Sequence, residues 1–210
     1  MSLLEKITHL GHASFKIASE AGLIYIDPFK LPADPKKADF VFITHEHFDH
    51  CSPRDLEKIL KEDTIIVAPP ECAPKIKRQF ESIKPGEKKT TGSIEVETIP
   101  AYNLDKFREP GLPYHPKEDG KVGYILTIDG ERLYHAGDTD FILEMKSLDN
   151  IDVALLPVSG TYVMTAEEAA DAANIFKPKT VIPMHYGDIV GSKADAEKFK
   201  KLFLGNTKII

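Results

Sequence analysis

Residues 39–50 read Asp-Phe-Val-Phe-Ile-Thr-His-Glu-His-Phe-Asp-His, an apolar run followed at once by three histidines and an aspartate. The apolar part, Asp39–Thr44, is typical of a buried strand whose carboxyl end carries functional side chains. Histidine and aspartate are common ligands of divalent metals, and neither an ordinary core nor an ordinary surface requires this composition. The stretch therefore predicts a metal-binding loop at the end of a buried strand.

The spacing within this loop would allow it to contribute to two adjacent sites. On an extended loop, side chains at positions i and i+2 point the same way, so His45 and His47 can meet one ion. Asp49 and His50 follow on the next turn and can meet a second ion. The alternative, a charged surface turn with chance histidines, fits poorly because three of the chain's eight histidines fall within this loop.

Further strands and helices are predicted on both sides of the loop. Apolar or alternating runs predict strands at 7–10, 14–18, 23–27, 64–68, 93–99, 123–128, 132–135, 153–157 and 180–184. Capping residues predict helices at 53–61, 73–80, 165–176 and 193–204. This alternation, with a hairpin opening each half, predicts two sheets flanked by helices. The longest irregular stretch, Leu104–Lys121, is interpreted as a lid or binding loop.

Length and composition indicate a single domain over residues 1–210, because 42% hydrophobic and 29% charged residues are ordinary for a globular protein. No apolar run approaches the roughly 20 residues that cross a bilayer. The first six residues lack the basic and apolar segments of a signal peptide. With reduced Cys51 and Cys72, a cytoplasmic location is expected. The net charge of −6 argues against nucleic acid as a partner.

Two distant residues occupy the same kind of position as the histidine loop. Asp138 comes just after the predicted strand at 132–135, and His185 directly follows the one at 180–184. Functional groups often lie on such strand-end loops, so both would approach the histidine loop if the sheets pack face to face. Each signal is weak alone, since Gly-Asp is an ordinary turn and a lone histidine is as often a core residue.

Several motifs together resemble the metallo-β-lactamase superfamily. They are the His45–His50 motif, Gly137-Asp138-Thr139 and Pro183-Met184-His185-Tyr186-Gly187, and they follow in that family's usual order across most of the chain. Gly11-His12-Ala13-Ser14-Phe15 is similar to a segment in the family's metal-dependent hydrolase branch, which is related to the ascorbate-phosphate lactonases. The resemblance implies an α/β fold, specifically an αββα sandwich of two mixed sheets packed face to face with helices outside.

The resemblance also implies a binuclear site that holds two divalent metal ions, zinc most often and manganese or iron in some relatives. His45 and His47 would bind the first ion, and Asp49 and His50 the second. Asp138 would bridge the ions, and His185 would complete the second site.

The third histidine of the first site is where the sequence departs from the family. Many relatives carry it where this chain has Asn103. The nearest available histidine is His115, which is therefore the predicted ligand; the alternative is a surface histidine beside Pro116. His12 and His135 remain candidates for supporting or core roles.

The expected chemistry is hydrolysis of a small ester, lactone or phosphoester. Two ions ~3.5–4 Å apart can share a water and lower its pKa towards ~7, which makes hydroxide the nucleophile. Asp49 would orient that hydroxide and pass a proton to the leaving group. Cys51 is interpreted as a packed thiol. Lys106, Arg108 and Lys117 flank His115 and could attract an anionic substrate, although a solvated loop is the commoner explanation for such charges.

Three other functions remain open at the level of sequence. A nuclease of the same superfamily is disfavoured by the acidic charge and the lack of a basic arm. A di-iron redox protein is disfavoured because such relatives usually carry Glu where this chain has His47. A metal-binding relic without turnover is kept open by Asn103. The sequence determines neither the substrate and the metal nor whether the chain forms a homo-oligomer.

Overall fold

Two β-sheets pack face to face in the computed structural model, which describes residues 1–210. The first sheet has six strands in sequence order: β1 (Ile7–Gly11), β2 (Ser14–Ser19), β3 (Gly22–Ile26), β4 (Phe40–Phe42), β5 (Ile65–Ala68) and β6 (Glu81–Ser82). Strands β1 to β3 pair antiparallel, and β3 to β6 pair parallel. This sheet is therefore mixed, as expected.

The second sheet is mixed as well. Its strands are β7 (Lys88–Thr91), β8 (Ile94–Pro100), β11 (Val122–Ile128), β12 (Glu131–His135), β13 (Val153–Pro157), β14 (Thr180–Met184) and β15 (Asn206–Thr207). They lie in the order β15-β14-β13-β12-β11-β8-β7, with β12 to β15 parallel and the others antiparallel. A separate hairpin, β9 (Phe107–Glu109) and β10 (Leu112–Pro113), lies within the long loop.

The chain forms four α-helices, and the last three of them cover the outer faces of the sheets. They are α1 (Leu3–Lys6), α2 (Pro53–Ile59), α3 (Ala166–Phe176) and α4 (Lys193–Leu202), with short 3-10 helices at Pro70–Cys72, Lys117–Asp119 and Leu143–Ser147. The side chains of Ser52, Thr165 and Ser192 cap α2, α3 and α4, as the sequence predicted. None of these helices is both long and apolar enough to span a lipid bilayer.

Three apolar clusters hold the layers together. The central cluster joins the facing sides of the two sheets, for example Phe42 with Tyr124, whose ring centroids lie 5.4 Å apart. A second cluster packs the outer side of the second sheet against α3 and α4, and a third packs the outer side of the first sheet against α2. Burial on both sides of each sheet explains the near-continuous apolar runs of the parallel strands. The αββα sandwich is thus confirmed.

The predicted helix at 73–80 was wrong. Only a 3-10 helix at Pro70–Cys72 forms there, followed by a turn and an extended segment that leads into β6. Ile76 packs into the cluster beneath α2, and the guanidinium of Arg78 donates to the carbonyls of Lys61 and Glu62. These tertiary contacts bind Ile76 and Arg78 to different parts of the chain. They determine the backbone conformation of residues 73–80, although the apolar residues there have helical spacing. Helix α4 also ends at Leu202, where Phe203 turns to extended backbone.

Candidate metal centre

The histidine loop leaves β4 and enters α2 in a tightly bonded conformation. The N–H groups of His50 and Cys51 both donate to the carbonyl of His47, at 3.1 and 2.8 Å. Thr44 ties the loop to the second sheet, since its carbonyl accepts the N–H of Val122 at 3.1 Å. The loop is therefore fixed by backbone contacts on both sides before any ion is considered.

The first group of potential ligands is His45, His47 and His115, whose ligand atoms lie within 4.8 Å of one another. The long loop folds back over the histidine motif and brings His115 to it. His47 and His115 are 68 positions apart in the sequence. The imidazole Nε2 of His115 lies 3.2 Å from Nδ1 of His47. His115 is buried, so the alternative of a surface histidine is wrong.

Asn103 holds His115 in this position. Its Oδ1 accepts the backbone N–H of His115 at 2.9 Å and Nδ1 of the same ring at 2.8 Å. Its Nδ2 donates to Asp140 and to the carbonyl of Tyr162, at 3.1 and 2.9 Å. With Nδ1 engaged, the other ring nitrogen of His115 is left to face the group of histidines. Asn103, which stands where many relatives have the third histidine, thus positions His115 from further along the chain.

The second group is His12, Asp49, His50 and His185, again with ligand atoms within 4.8 Å of one another. His185 has φ of 59°, and its N–H donates to the carbonyl of His12 at 2.8 Å. This turn at the end of β14 directs the ring towards the group, where Nδ1 lies 3.2 Å from Oγ of Ser159. The loops after β1, β4 and β14 therefore meet at one edge of the sandwich.

Asp138 lies between the two groups. Its Oδ2 is 3.4 Å from Nε2 of His115 and 3.2 Å from Nε2 of His185, and its Oδ1 is 3.3 Å from Nε2 of His50. The preceding Gly137 has φ of 66°, and a Cβ there would lie 2.9 Å from the carbonyl oxygen of Val122. Glycine is therefore needed at this turn to bring the Asp138 carboxylate between the loops.

Asp27 is a site residue that the sequence reasoning missed. This buried carboxylate follows β3 with φ of 46° and accepts the N–H and the hydroxyl of Thr44, at 2.8 and 2.6 Å. It also lies 2.7 Å from Nδ1 of His50. A carboxylate on one imidazole nitrogen directs the other towards a metal. The one signal in the sequence was an aspartate at the end of an apolar strand run.

His12 and His135 have different surroundings. Nε2 of His12 donates to Oδ2 of Asp49 at 2.9 Å, so His12 supports Asp49. In His135, Nε2 lies 2.9 Å from the carbonyl of Ala13 and Nδ1 accepts the N–H of Gly137 at 3.1 Å. Both nitrogens of His135 are therefore used in backbone contacts, and this residue has none left for an ion.

The protonation states suit metal binding. Burial lowers the pKa of His115 to about 4, against the attraction of Asp138, and burial also lowers the pKa of His45 and of His47. Burial alone would raise the pKa of Asp49, but His50 and the hydrogen bond from His12 bring it down to about 2. Neutral imidazoles and ionised carboxylates are the forms that bind metals.

His50 differs from its neighbours. Burial disfavours its charged form, but the carboxylates of Asp138, Asp27 and Asp49 raise the pKa of His50 well above 6.5. The three carboxylates around this imidazole thus favour a positive charge at this position. A bound metal cation would be stabilised by the same carboxylates and would displace the proton from His50.

Unpaired buried atoms provide a test of whether metal fits. Nε2 of His45, His50 and His185 and Oδ1 of Asp138 are buried and have no hydrogen-bond partner. Such atoms normally find a partner, because an unsatisfied buried polar group costs about 1–3 kcal/mol. Here they converge from separate loops on one small space. The nitrogen-rich donor set fits divalent ions such as zinc.

Comparison with known proteins agrees with this geometry. Residues 6–185 match the β-lactamase superfamily domain. A UPF0173 metal-dependent hydrolase from Pyrococcus abyssi is 34% identical, over 98% of this chain and 95% of the relative. The chain belongs to the metallo-β-lactamase superfamily. Within that superfamily, the curated relatives place it among the UPF0173 metal-dependent hydrolases.

Solved structures agree with this membership. The crystal structure of a protein assigned as a metal-dependent hydrolase from Parabacteroides distasonis has 38% identity and a TM-score of 0.86, and the match covers 97% of this chain and 91% of that one. CmlA, a diiron β-hydroxylase from Streptomyces venezuelae, has a TM-score of 0.70 at 13% identity, covering 97% of this chain and 52% of that one. At that low identity, the second likeness concerns the superfamily fold alone.

Proposed function

We propose that this protein is a binuclear metal-dependent hydrolase of a small ester, lactone or phosphoester. In this proposal His45, His47 and His115 would hold the first ion, and Asp49, His50 and His185 would hold the second. Asp138, which lies between the two groups, would help to hold both. The observation that carries the proposal is the convergence of both ligand groups on Asp138, with buried donor atoms left unpaired. Zinc suits these imidazole-rich groups best, and manganese or iron are the alternatives.

The chain's own residues prepare the reaction in two ways, beside the chemistry that bound ions would supply. Two bound divalent ions would lower the pKa of a water and polarise the substrate's carbonyl or phosphoryl oxygen. Asp27 and Asn103 fix the rings of His50 and His115, so that the donor atoms are in place beforehand. The hydrogen bond from His12 engages only one oxygen of Asp49. The carboxylate can therefore orient the attacking water, accept its proton and deliver that proton to the leaving group.

A hydrolysis screen tests the proposal. The protein is purified without added metal, its metal content is measured, and lactones, carboxylic esters, thioesters, phosphomonoesters and phosphodiesters are offered with zinc, manganese and iron in turn. We expect about two ions per chain and turnover of at least one class. Asp138→Asn should lose bound metal and at least about a hundredfold of activity, since even supporting residues of metal ligands cost 10–100-fold.

The control for Asp138→Asn is Asp149→Asn, which makes the same change in a side chain that is 76% exposed. It should behave like the unaltered protein. Absence of bound metal after growth in metal-supplemented medium, together with absence of turnover, would instead identify a relic of the fold. The position of His115 argues against a relic, because its imidazole lies with those of His45 and His47 and can act as the third nitrogen ligand in place of residue 103.

A further inference from the structure

We propose that the substrate of this centre is uncharged and carries an apolar group, which binds to an apolar rim around the centre. The apolar rim is defined here by exposed side chains on three loops that also carry proposed ligands: Phe48, Leu104, Phe107, Leu112 and Ile189. This inference rests on the proposed hydrolase function and narrows it to esters or lactones with an alkyl or aryl substituent.

Phe48 is the member of the apolar rim that lies within the histidine motif itself, between His47 and Asp49. Its side chain is 62% exposed, although Asp49 and His50 beside it are buried. One edge contact, with Phe29 at 5.8 Å between ring centroids, holds the ring without covering it. An exposed phenylalanine in a motif of metal ligands is not needed for core packing, and it offers a surface to an apolar ligand.

The long loop contributes three further apolar side chains. Leu104 follows Asn103, and Phe107 and Leu112 lie on the β9–β10 hairpin that leads to His115. The loop is firmly anchored, because the N–H groups of Leu104 and Asp105 donate to Oδ2 of Asp140 at 2.6 and 3.1 Å. Phe107 is nevertheless 47% exposed. These side chains thus remain uncovered on an ordered loop.

Ile189 completes the apolar rim on the loop that follows His185. The loop is tied to the segment after β3 by the ion pair between Asp188 and Lys30, at 2.5 Å. Lys30 itself follows Phe29, the partner of Phe48. The loops after β4 and β14 therefore present the apolar side chains of Phe48 and Ile189, while Lys30 and Asp188 pair with each other.

The cations near the centre are engaged in internal pairs. Lys106 binds both oxygens of Glu168 at 2.7 and 2.8 Å, and Lys117 binds Glu144 at 2.8 Å. Lys121 is buried and binds both oxygens of Glu46 at 2.8 and 2.7 Å. These lysines are therefore neutralised by carboxylates and are not left to hold an anionic substrate.

Arg108 is the remaining cation of the long loop. Its guanidinium donates to the carbonyl of Tyr114 at 3.1 Å and lies 5.9 Å from the centre of that ring. Of the three cations expected to attract an anionic substrate, Lys106 and Lys117 are paired with carboxylates, and Arg108 contacts Tyr114 of its own loop. Charge and exposed surface both favour a neutral, apolar substrate over a phosphomonoester.

A graded series of esters tests this inference. The zinc-loaded protein is assayed with p-nitrophenyl acetate, butyrate and hexanoate and with p-nitrophenyl phosphate. We expect kcat/KM to rise roughly two- to fourfold per added methylene, the gain from burying a CH₂ group, and to be lowest for the phosphate. Phe48→Ser and Phe107→Ser should each reduce the hexanoate-to-acetate ratio. The control Leu204→Ser, at a side chain that is 91% exposed near the opposite end of β14, should leave the ratio unchanged.

Binding without turnover provides a second measurement. Calorimetric titration with acetohydroxamate and octanohydroxamate should show tighter binding of the longer chain, and Phe107→Ser should remove that difference. Equal affinities of the two hydroxamates overturn the inference even in a protein that turns over none of the esters. Turnover that ignores chain length, or that is fastest with p-nitrophenyl phosphate, also overturns it while leaving the hydrolase function intact. Absence of turnover with every substrate class refutes the proposed function instead.

Discussion

Single side chains set the orientation of the histidines in the proposed centre. Asn103 holds the ring of His115 through Nδ1, and Asp27 does the same for His50. In both cases one hydrogen bond selects which nitrogen faces the centre. Because a misdirected imidazole cannot bind, these two residues matter nearly as much as the proposed ligands themselves.

Replacing Asn103 with alanine is expected to weaken the first site selectively. His115 loses the acceptor for both its backbone N–H and its ring Nδ1, so affinity for one of the two ions should fall about 10–100-fold. The measurement is a competition titration against a zinc chelator, with Tm recorded in parallel. Gln79→Ala, which removes an exposed amide side chain, is the control. Unchanged affinity for both ions would show that Asn103 does not position His115.

The pH dependence of stability is expected to include a contribution from His135. Burial lowers the pKa of this imidazole below its usual 6.5, and it outweighs Asp27 and the hydrogen bond to the carbonyl of Ala13, which both raise the pKa. The unfolded chain therefore binds a proton at higher pH than the folded chain does. The stabilisation is present above pH 6.5 and is lost as the pH falls through the lower folded value.

Thermal unfolding between pH 8 and 5 in the presence of chelator measures this effect. His135→Gln should start from a lower Tm but lose less of it on acidification than the unaltered protein. Other buried histidines with lowered pKa, such as His45 and His115, contribute in the same direction in both proteins. The comparison of slopes isolates His135, and identical slopes would contradict the assignment.

Among the elements, the long loop from Leu104 to Lys121 decides the most about the centre. It carries His115 and part of the apolar rim, yet little of it belongs to a sheet or a long helix. Its order comes from contacts with Asp140 and from the pair between Lys106 and Glu168, the residue that also completes the capping box of α3. The amino end of α3 thus anchors the loop.

Asp140→Ala is expected to release this loop. The substitution removes the acceptor for the N–H groups of Leu104 and Asp105 and for the amide of Asn103, at a cost of about 1–3 kcal/mol per buried group left unpaired. Trypsin should then cleave faster at Lys106, Arg108 or Lys117, as mass spectrometry of the fragments would show. Asp63→Ala, at an exposed carboxylate, controls for loss of charge. A cleavage rate equal to that of the unaltered protein would refute the anchoring role.

At the scale of the whole molecule, the centre exists because two sheets meet at one edge. The loops after β3 and β4 come from the first sheet, and those after β8, β12 and β14 come from the second. Their carboxylates and imidazoles crowd together, and several of their atoms remain unpaired. An ion bound there would hold both sheets at once and contribute to the free energy of unfolding.

Metal loading is therefore expected to raise the thermal stability of the entire chain. At an ion concentration 100 times the Kd, binding to the folded state alone adds about 2.7 kcal/mol for one site. Differential scanning calorimetry of chelated and zinc-loaded protein should show a single transition at higher temperature after loading. In Asp138→Asn the shift should be much smaller. A zinc-induced shift of equal size in that variant would place the stabilising ion elsewhere.

The sequence alone determined the layers of the fold and one half of the proposed centre. Apolar runs, capping residues and the Asp129-Gly130 turn are local signals, and they correctly predicted β11, β12, β13, α3 and the strand before the histidine loop. The dense His45–His50 motif needed no partner to be recognised. The helix predicted at 73–80 failed because contacts of Ile76 and Arg78 with distant residues, rather than local spacing, fix that segment.

Only the tertiary structure decided the surroundings of the motif. Asp27 and Asp140 carry no clear signal in the sequence, and Asn103 was noted only as a missing histidine; the roles of all three come from hydrogen bonds that the fold brings within reach. The packing of the two sheets brings His115 to His47. It also gives His12 and His135 different partners, since His12 donates to Asp49 and His135 contacts the backbone carbonyl of Ala13. Hydrogen bonds are short and directional, so the identity of a residue reveals its capacity to bind, whereas the fold alone determines what lies within reach.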